Sequence, residues 1–200
     1  MDRRALPSRA APAAWTAPVA LAALAALAGC TTLVEPPAAP AEPVTVLLVD
    51  WGWHSSLLLP RPEPGFTEYA FGEWEWFARG NDGWWRVPVV LFWPRDGALG
   101  RRDWSSLESV AASAEQSHVL LVERTASESL RERLERCFAD RAASRVAGPG
   151  QRLDFVPDEG PFWLGHTCNG ATAEWLRELG CEVSGLTVTA RFEVEPDAAR

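Results

Sequence analysis

The chain holds short apolar runs, weakly alternating segments and two stretches with helical spacing. "VTVLLVD" (44–50) and "WHSSLLLP" (53–60), split by Gly52, predict two adjacent strands or one bent strand. After the turn-forming "PEPG", the weak alternation of "FTEYAFGEW" (66–74) predicts the next strand. The Trp-rich "EWEWFARGNDGWWRVPVVLFWPRDG" has no clean period and is broken by Pro88 and Pro94, which predicts loop and irregular helix. "DWSSLESVAASA" (103–114) predicts a short helix capped by Asp103, and "SHVLLVER" (117–124) a buried strand. Thr125 and Glu128 form a T-x-x-E capping box ahead of "SESLRERLERCFADRAAS", where Leu130, Leu134, Cys137 and Phe138 share one face. "AGPGQRLDFVPDEGPFWLG" predicts a loop with at most one short strand. In "HTCNGATAEWLRELG", Ala171, Trp175, Leu176 and Leu179 recur at helical spacing and Gly180 terminates the pattern. With no internal repeat, the pattern predicts one α+β domain of several strands and two or three helices.

The N-terminus has a different pattern. Arg3, Arg4 and Arg9 precede the 15-residue apolar stretch "WTAPVALAALAALAG", shorter than the roughly 20 residues of a permanent membrane helix. It ends in Leu27-Ala28-Gly29-Cys30, which resembles a bacterial lipobox. That resemblance implies that Cys30 carries a lipid and becomes the new N-terminus; a plain signal peptide or signal anchor is the alternative. Thr31 stands where an inner-membrane retention Asp would be, so outer-membrane sorting is implied. The expected organisation is a signal peptide over 1–29, a lipidated Cys30 with a Pro/Ala-rich tether over 30–43, and a folded domain over 44–200. The expected location is the periplasmic side of the bacterial cell envelope.

Composition narrows the partners. A hydrophobic content of 47% with 23% charged residues is ordinary for a globular chain. The net charge is −8, and removing residues 1–29 takes three Arg and one Asp, lowering it by 2 to −10. So acidic a domain, with no long Arg run, argues against nucleic acid or anionic headgroups as partners. The membrane enters as a partner through the lipid anchor. No P-loop, G-x-G-x-x-G, H-E-x-x-H or G-x-S-x-G is present, so no cofactor is expected.

Cysteine and histidine carry the candidate chemistry. With Cys30 lipidated, Cys137, Cys168 and Cys181 remain, and an odd count leaves at least one thiol unpaired. Cys137 lies on an apolar helix face and reads as a small buried hydrophobe. Cys168 falls at the first turn of the last helix, where unpaired N–H groups and the positive dipole end predict a lowered thiol pKa. Three imidazoles could serve as its base. His166 is close in sequence and reads as a loop residue, His118 begins an apolar strand and reads as structural, and His54 begins the other apolar run.

"DWGWHSSLLLP" followed far downstream by "HTCNGATAEWLRELG" resembles an uncharacterised bacterial family, domain-of-unknown-function family 2459, over most of residues 45–190. Its members carry G-W-H-T, then F-G-W-G-D, then T-C-N-T-W-T-A. Here "FGEWEWF" stands at the middle motif, with Glu75 at the Asp position and Trp74 at the second Gly, while Gly170 and Ala171 replace Thr and Trp in the last. The order of a His-bearing strand before a Cys-bearing helix is also similar to circularly permuted NlpC-type papain-like enzymes. That likeness implies a small antiparallel sheet packed with two or three helices, Cys168 as nucleophile and His54 as base. Glu73 and Glu75, with Glu68 as a further option, are the candidates to orient His54, and Asn169 could cap the helix or assist an oxyanion. Envelope amides or esters, in peptidoglycan peptides or lipid acyl groups, are the implied substrates.

Three other readings stand beside this one. The scaffold could be an inactive binding or structural lipoprotein, its Trp51, Trp53, Trp74, Trp76, Trp84, Trp85 and Trp93 lining a groove, although Trp is more often core. Cys168 could be bridged to Cys181, or Cys137 to Cys181. His54, His166, Cys168 and Cys181 offer four metal ligands, yet H-x-C lacks the C-x-x-C pairing of structural zinc sites and no metal is expected.

Overall fold

The computed structural model describes residues 31–150, 153–187 and 189–195; the signal segment and Cys30 lie outside the described residues. Among the described residues ten strands form two sheets. The larger has seven strands, all paired antiparallel: β2 (Pro43–Asp50), β3 (Ser55–Pro60), β4 (Phe66–Glu73), β5 (Arg95–Trp104), β6 (Gln116–Glu123), β7 (Val146–Ala147) and β8 (Asp154–Phe162), in the order β6-β2-β3-β4-β5-β8-β7. The smaller sheet has β1 (Thr32–Glu35) at its centre, parallel to β10 (Phe192–Val194) and antiparallel to β9 (Glu182–Ser184). The fold is α+β, with a sheet larger than the small one expected.

Among the described residues four α-helices accompany the sheets: α1 (Val87–Phe92), α2 (Leu107–Ala111), α3 (Arg124–Asp140) and α4 (Cys168–Glu178). The two long ones cover one face of the large sheet. Leu130, Leu134 and Phe138 of α3 and Ala171, Trp175 and Leu176 of α4 join Val46, Leu48, Leu57, Leu59, Tyr69 and Leu99 in one buried cluster. Alternate residues of the same strands serve the other face, where Leu47, Val49 and Leu58 pack with Val110 of α2. Strand β3 is therefore apolar at three successive positions because both of its faces are covered.

Several boundaries differ from the expectation for physical reasons. The tether expected over 30–43 is corrected at its start, since Thr32 and Val34 are fully buried in β1, so folded structure is present well before residue 44. Strand β5 reads as loop in sequence because "RDGALGRRDW" is polar and glycine-rich. A Cβ on Gly97 would lie 2.2 Å from the Gly160 carbonyl oxygen, and one on Gly100 2.6 Å from the Phe155 ring, so these glycines permit the close approach of β8. Strand β8 itself spans nine residues where one short strand was expected.

The capping box is not formed. Strand β6 runs directly into α3, whose first residue is Arg124, and the boundary residue Glu123 instead accepts from the backbone N–H of Ala41 at 2.8 Å. Asp103 likewise does not cap α2. It accepts from Thr67 Oγ1 at 2.8 Å within the sheet, while Ser106 caps the helix through the Ser109 N–H.

The burial of Val34 yields a direct test of where the fold begins. Val34→Ala is expected to cost about 2 kcal/mol in urea unfolding, from lost transfer energy and a residual cavity. A change within about 0.5 kcal/mol, as at a solvated tether position, would show that β1 does not dock.

Candidate active site

The turn between β2 and β3 positions His54. Asp50 accepts from the Gly52 N–H at 2.6 Å, Gly52 takes φ +93°, and the Trp51 N–H donates to the His54 carbonyl at 2.8 Å. His54 thus ends a tight turn immediately before the first residue of β3.

Cys168 opens α4, whose N-cap Thr167 accepts from the Gly170 N–H at 3.3 Å. A buried polar contact ties that helix to β3. Ser55 Oγ donates to Asn169 Oδ1 at 2.8 Å and lies 3.1 Å from Thr172 Oγ1, and the Thr172 hydroxyl reaches the Ser55 carbonyl oxygen at 3.4 Å. The backbone N–H of Ser55, one peptide from His54, is directed at Cys168 Sγ, as are those of Asn169 and Cys168 itself. His54 and Cys168 accordingly line one cavity of about 810 Å³.

The cavity has an apolar wall and a small polar sector. Trp51, Trp76, Phe77, Val90, Leu91 and Phe162 supply much of the wall, and Glu68, Glu73 and Arg102 are among the charged lining groups. Glu68 is fully buried and saturated: it accepts from Ser56 Oγ at 2.8 Å, Arg102 Nε at 2.9 Å and Trp104 Nε1 at 2.8 Å. The Arg102 guanidinium lies over Trp104 at 4.1 Å and Trp51 at 5.3 Å, two indoles stacked within 11° of parallel. Trp51 Nε1 donates to Ser56 Oγ at 2.8 Å, which closes the network.

The proposed orienting residues lie elsewhere in the hydrogen-bond map. Glu73 accepts from the Trp76 N–H at 2.6 Å, capping a π-helical turn over Trp74–Ala78, and pairs with Arg86 at 3.4 Å and Arg95 at 3.7 Å. Glu75 accepts from Asn81 Nδ2 at 2.6 Å, pairs with Arg79 at 3.6 Å, and is not among the cavity's lining residues. His54 Nδ1 is buried without a hydrogen-bond partner, so neither Glu73 nor Glu75 orients the ring here. Its position is set by packing, with Phe77 at a ring separation of 5.3 Å.

The other candidates separate from this cavity. His166 contacts the Pro161 carbonyl through Nδ1 at 3.0 Å and packs 4.6 Å from Phe71. His118 sits on edge strand β6 opposite Leu48. Cys137, Cys168 and Cys181 are free thiols, and among the described residues no cluster of three or more His, Cys, Asp or Glu could hold a metal. Ser55, Thr172 and Arg102 were not singled out in sequence. The signal for the first was the Ser pair embedded in an apolar strand, where a buried hydroxyl needs a partner.

Desolvation controls the protonation states. Burial pushes the Cys168 thiol up to about 11 despite three N–H groups aimed at the sulfur, which corrects the lowered pKa expected from the helix terminus. Burial likewise lowers His54 to about 4, with Glu68 opposing the shift and Arg102 adding to it. Around neutral pH the resting pair is thiol and free-base imidazole. The proton therefore rests on the sulfur, and the imidazole that lines the same cavity is free to accept one.

No protein-family model, curated protein or solved structure matches this chain. The likeness to domain-of-unknown-function family 2459 and to permuted papain-like enzymes rests on the motifs alone.

Two measurements follow from these protonation states. Iodoacetamide should modify Cys168 more slowly than a free small thiol near pH 7, with the rate climbing towards pH 11; free-thiol rates at neutral pH would refute the buried neutral state. For His54, the folded pKa of about 4 lies below the unfolded value near 6.5, so the unfolded state binds the proton first. Stability should therefore fall as pH drops from about 6.5 to 4, by a few kcal/mol at most from this group. His54→Gln should flatten that part of the pH–stability curve, and an unchanged slope would show that His54 is not desolvated.

Proposed function

We propose that this chain is a lipid-anchored envelope protein with a papain-like Cys-His site that transfers or hydrolyses acyl groups through a thioester. The observation that carries the reading is that Cys168, at the start of α4, and His54, immediately before β3, line one largely apolar cavity. The order of a His-bearing strand before a Cys-bearing helix supports the likeness to permuted papain-like enzymes, and the lipobox-like Leu27–Cys30 supports a lipid anchor, outer-membrane sorting and a periplasmic location.

In the proposed reaction an amide or ester carbonyl enters beside Cys168. His54 takes the thiol proton as Sγ attacks, forming the S–C bond and a tetrahedral oxyanion near the N–H groups of Cys168 and Asn169. Collapse breaks the C–N or C–O bond, and the His54 proton leaves with the amine or alcohol. Water or an acceptor alcohol, deprotonated by His54, then attacks the thioester and releases Cys168 as the thiol. Proton transfer to His54 is coupled to attack, so the neutral pair reacts only when a carbonyl is present. The apolar wall favours an acyl chain over a charged peptide.

A second reading is an inactive binding lipoprotein. Trp53 and Trp84 line the same cavity with 96% and 80% of their surface exposed, as an indole-walled groove requires.

Incubation of the purified protein with p-nitrophenyl acyl esters separates the two. The expected result is an acyl mass increment on the native chain, lost in Cys168→Ala and slowed at least 100-fold in His54→Ala, since a positioned base contributes roughly 10²–10⁴-fold. Absence of acylation at every chain length, with bound ester recovered intact, would favour the binding reading.

A further inference from the structure

We propose that α1 and the indoles flanking it form a face that docks on the lipid bilayer, holding the cavity mouth against the membrane. This rests on the reading of Cys30 as the anchored residue, and does not depend on catalysis.

The first observation is a surface that water does not suit. In "GWWRVPVVLFWP" (83–94) the single charged residue is Arg86, already paired with buried Glu73 at 3.4 Å. Helix α1 is apolar on every side, a composition ordinarily found only in fully buried helices. Val90 faces the core, yet Trp84, Trp85, Phe92 and Trp93 are exposed by 80%, 68%, 64% and 62%. Trp163 and Leu164 extend the patch, because the Leu164 N–H donates to the Leu91 carbonyl at 2.8 Å and both side chains are exposed. Indoles grouped with aliphatic residues and almost no charge have the composition of the bilayer interface, where the ring buries its body and keeps its N–H wet.

The second observation is the position of the chain's entry into the fold. Residues before Thr31 lie outside the described structure, and β1 begins at Thr32, so Cys30 is separated from a buried strand by at most about 7 Å of extended chain. A tether of the expected length would have allowed the domain to float free. Two hydrogen bonds then tie this entry point to the Leu186–Thr187 segment, and that segment to the loop that carries Trp163 and Leu164. Thr32 Oγ1 donates to the Leu186 carbonyl at 3.1 Å, and Thr167 Oγ1 to the Thr187 carbonyl at 3.3 Å, in the segment that continues from Leu164. Leu33 and Leu186, both exposed, lie at the entry itself.

The third observation concerns charge. The domain is strongly acidic, so attraction to anionic headgroups cannot supply the affinity. Docking by apolar area and indoles alone is independent of lipid charge and little affected by salt. Trp84, Val87 and Leu91 belong both to this segment and to the cavity lining, which places the mouth at the docked face.

The test uses the full chain, expressed with its own N-terminus, extracted from bacterial membranes and reconstituted into phosphatidylcholine vesicles whose acyl chains are brominated just below the headgroup. Flotation reports the anchor, and bromine quenching of tryptophan reports the face. The expected result is strong quenching at low and high salt alike, most of which disappears in Trp84→Phe/Trp85→Phe/Trp93→Phe, a variant that keeps the apolar surface and removes only the fluorophores. Floating vesicles whose quenching is unchanged by that variant overturn the docking face while leaving the anchor intact. Patch indoles unquenched by lipid yet shielded from aqueous acrylamide only at high protein density would assign the face to a second copy and also overturn it. Failure to float overturns anchor and face together, whereas failure to acylate Cys168 touches neither.

Discussion

The geometry of the site depends on the buried contact among Ser55, Asn169 and Thr172. A strand and a helix more than a hundred residues apart in sequence meet here, and a sheet-helix interface made only of Leu57, Leu59, Ala171 and Leu176 could slide with little penalty. Hydroxyl and amide groups buried at that interface cannot, because each displaced partner would leave an unsatisfied polar atom costing on the order of 1–3 kcal/mol. The register they fix brings the Ser55 N–H to Cys168 Sγ and leaves His54 one peptide away.

A second buried network holds the opposite side of the cavity rigid by different means. Glu68 is satisfied by Ser56 at one oxygen and by Arg102 and Trp104 at the other, and Arg102 is held over two stacked indoles, so the buried charge is paired and hydrogen-bonded. Its carboxylate faces His54 electrostatically without bonding to it, and Arg102 offsets part of that influence. The imidazole therefore feels burial more than either charge, which is why it remains a free base well into the acid range.

How much of this was legible in sequence follows from which forces are local. The strands β2 to β4, strand β6 and the two long helices were readable, since burial stamps its period onto them. Strand β5 was not: its glycines are there for the close approach of Phe155 and Gly160, a long-range requirement that locally looks like loop. Strand β1 was hidden for the same reason, four residues beside prolines that gain meaning only from pairing with the C-terminal β9 and β10. Of the cavity, Cys168 and His54 are legible because each stands at the edge of an apolar run or a helical pattern, and both line it. The orienting carboxylate was sought by sequence proximity at Glu73 and Glu75, and three-dimensional structure gives those two to the π-helical turn and its neighbouring arginines.

The thiol shows where one-dimensional electrostatics fails. A helix N-terminus contributes a partial charge of roughly half an electron, screened by whatever lies in front of it, whereas enclosing the sulfur among Ser55, Asn169 and the cavity wall removes most of its hydration. The dipole sets the direction in which charge would be stabilised, but desolvation sets whether charge forms at all. A neutral thiol and a free-base imidazole lining one cavity avoid placing an ion pair in an apolar site, and on the proposed chemistry the charge that does form is moved onto the carbonyl oxygen, beside N–H groups already in place. Low thiolate content in the resting state is then compatible with acyl transfer, provided that attack and proton transfer are coupled through His54.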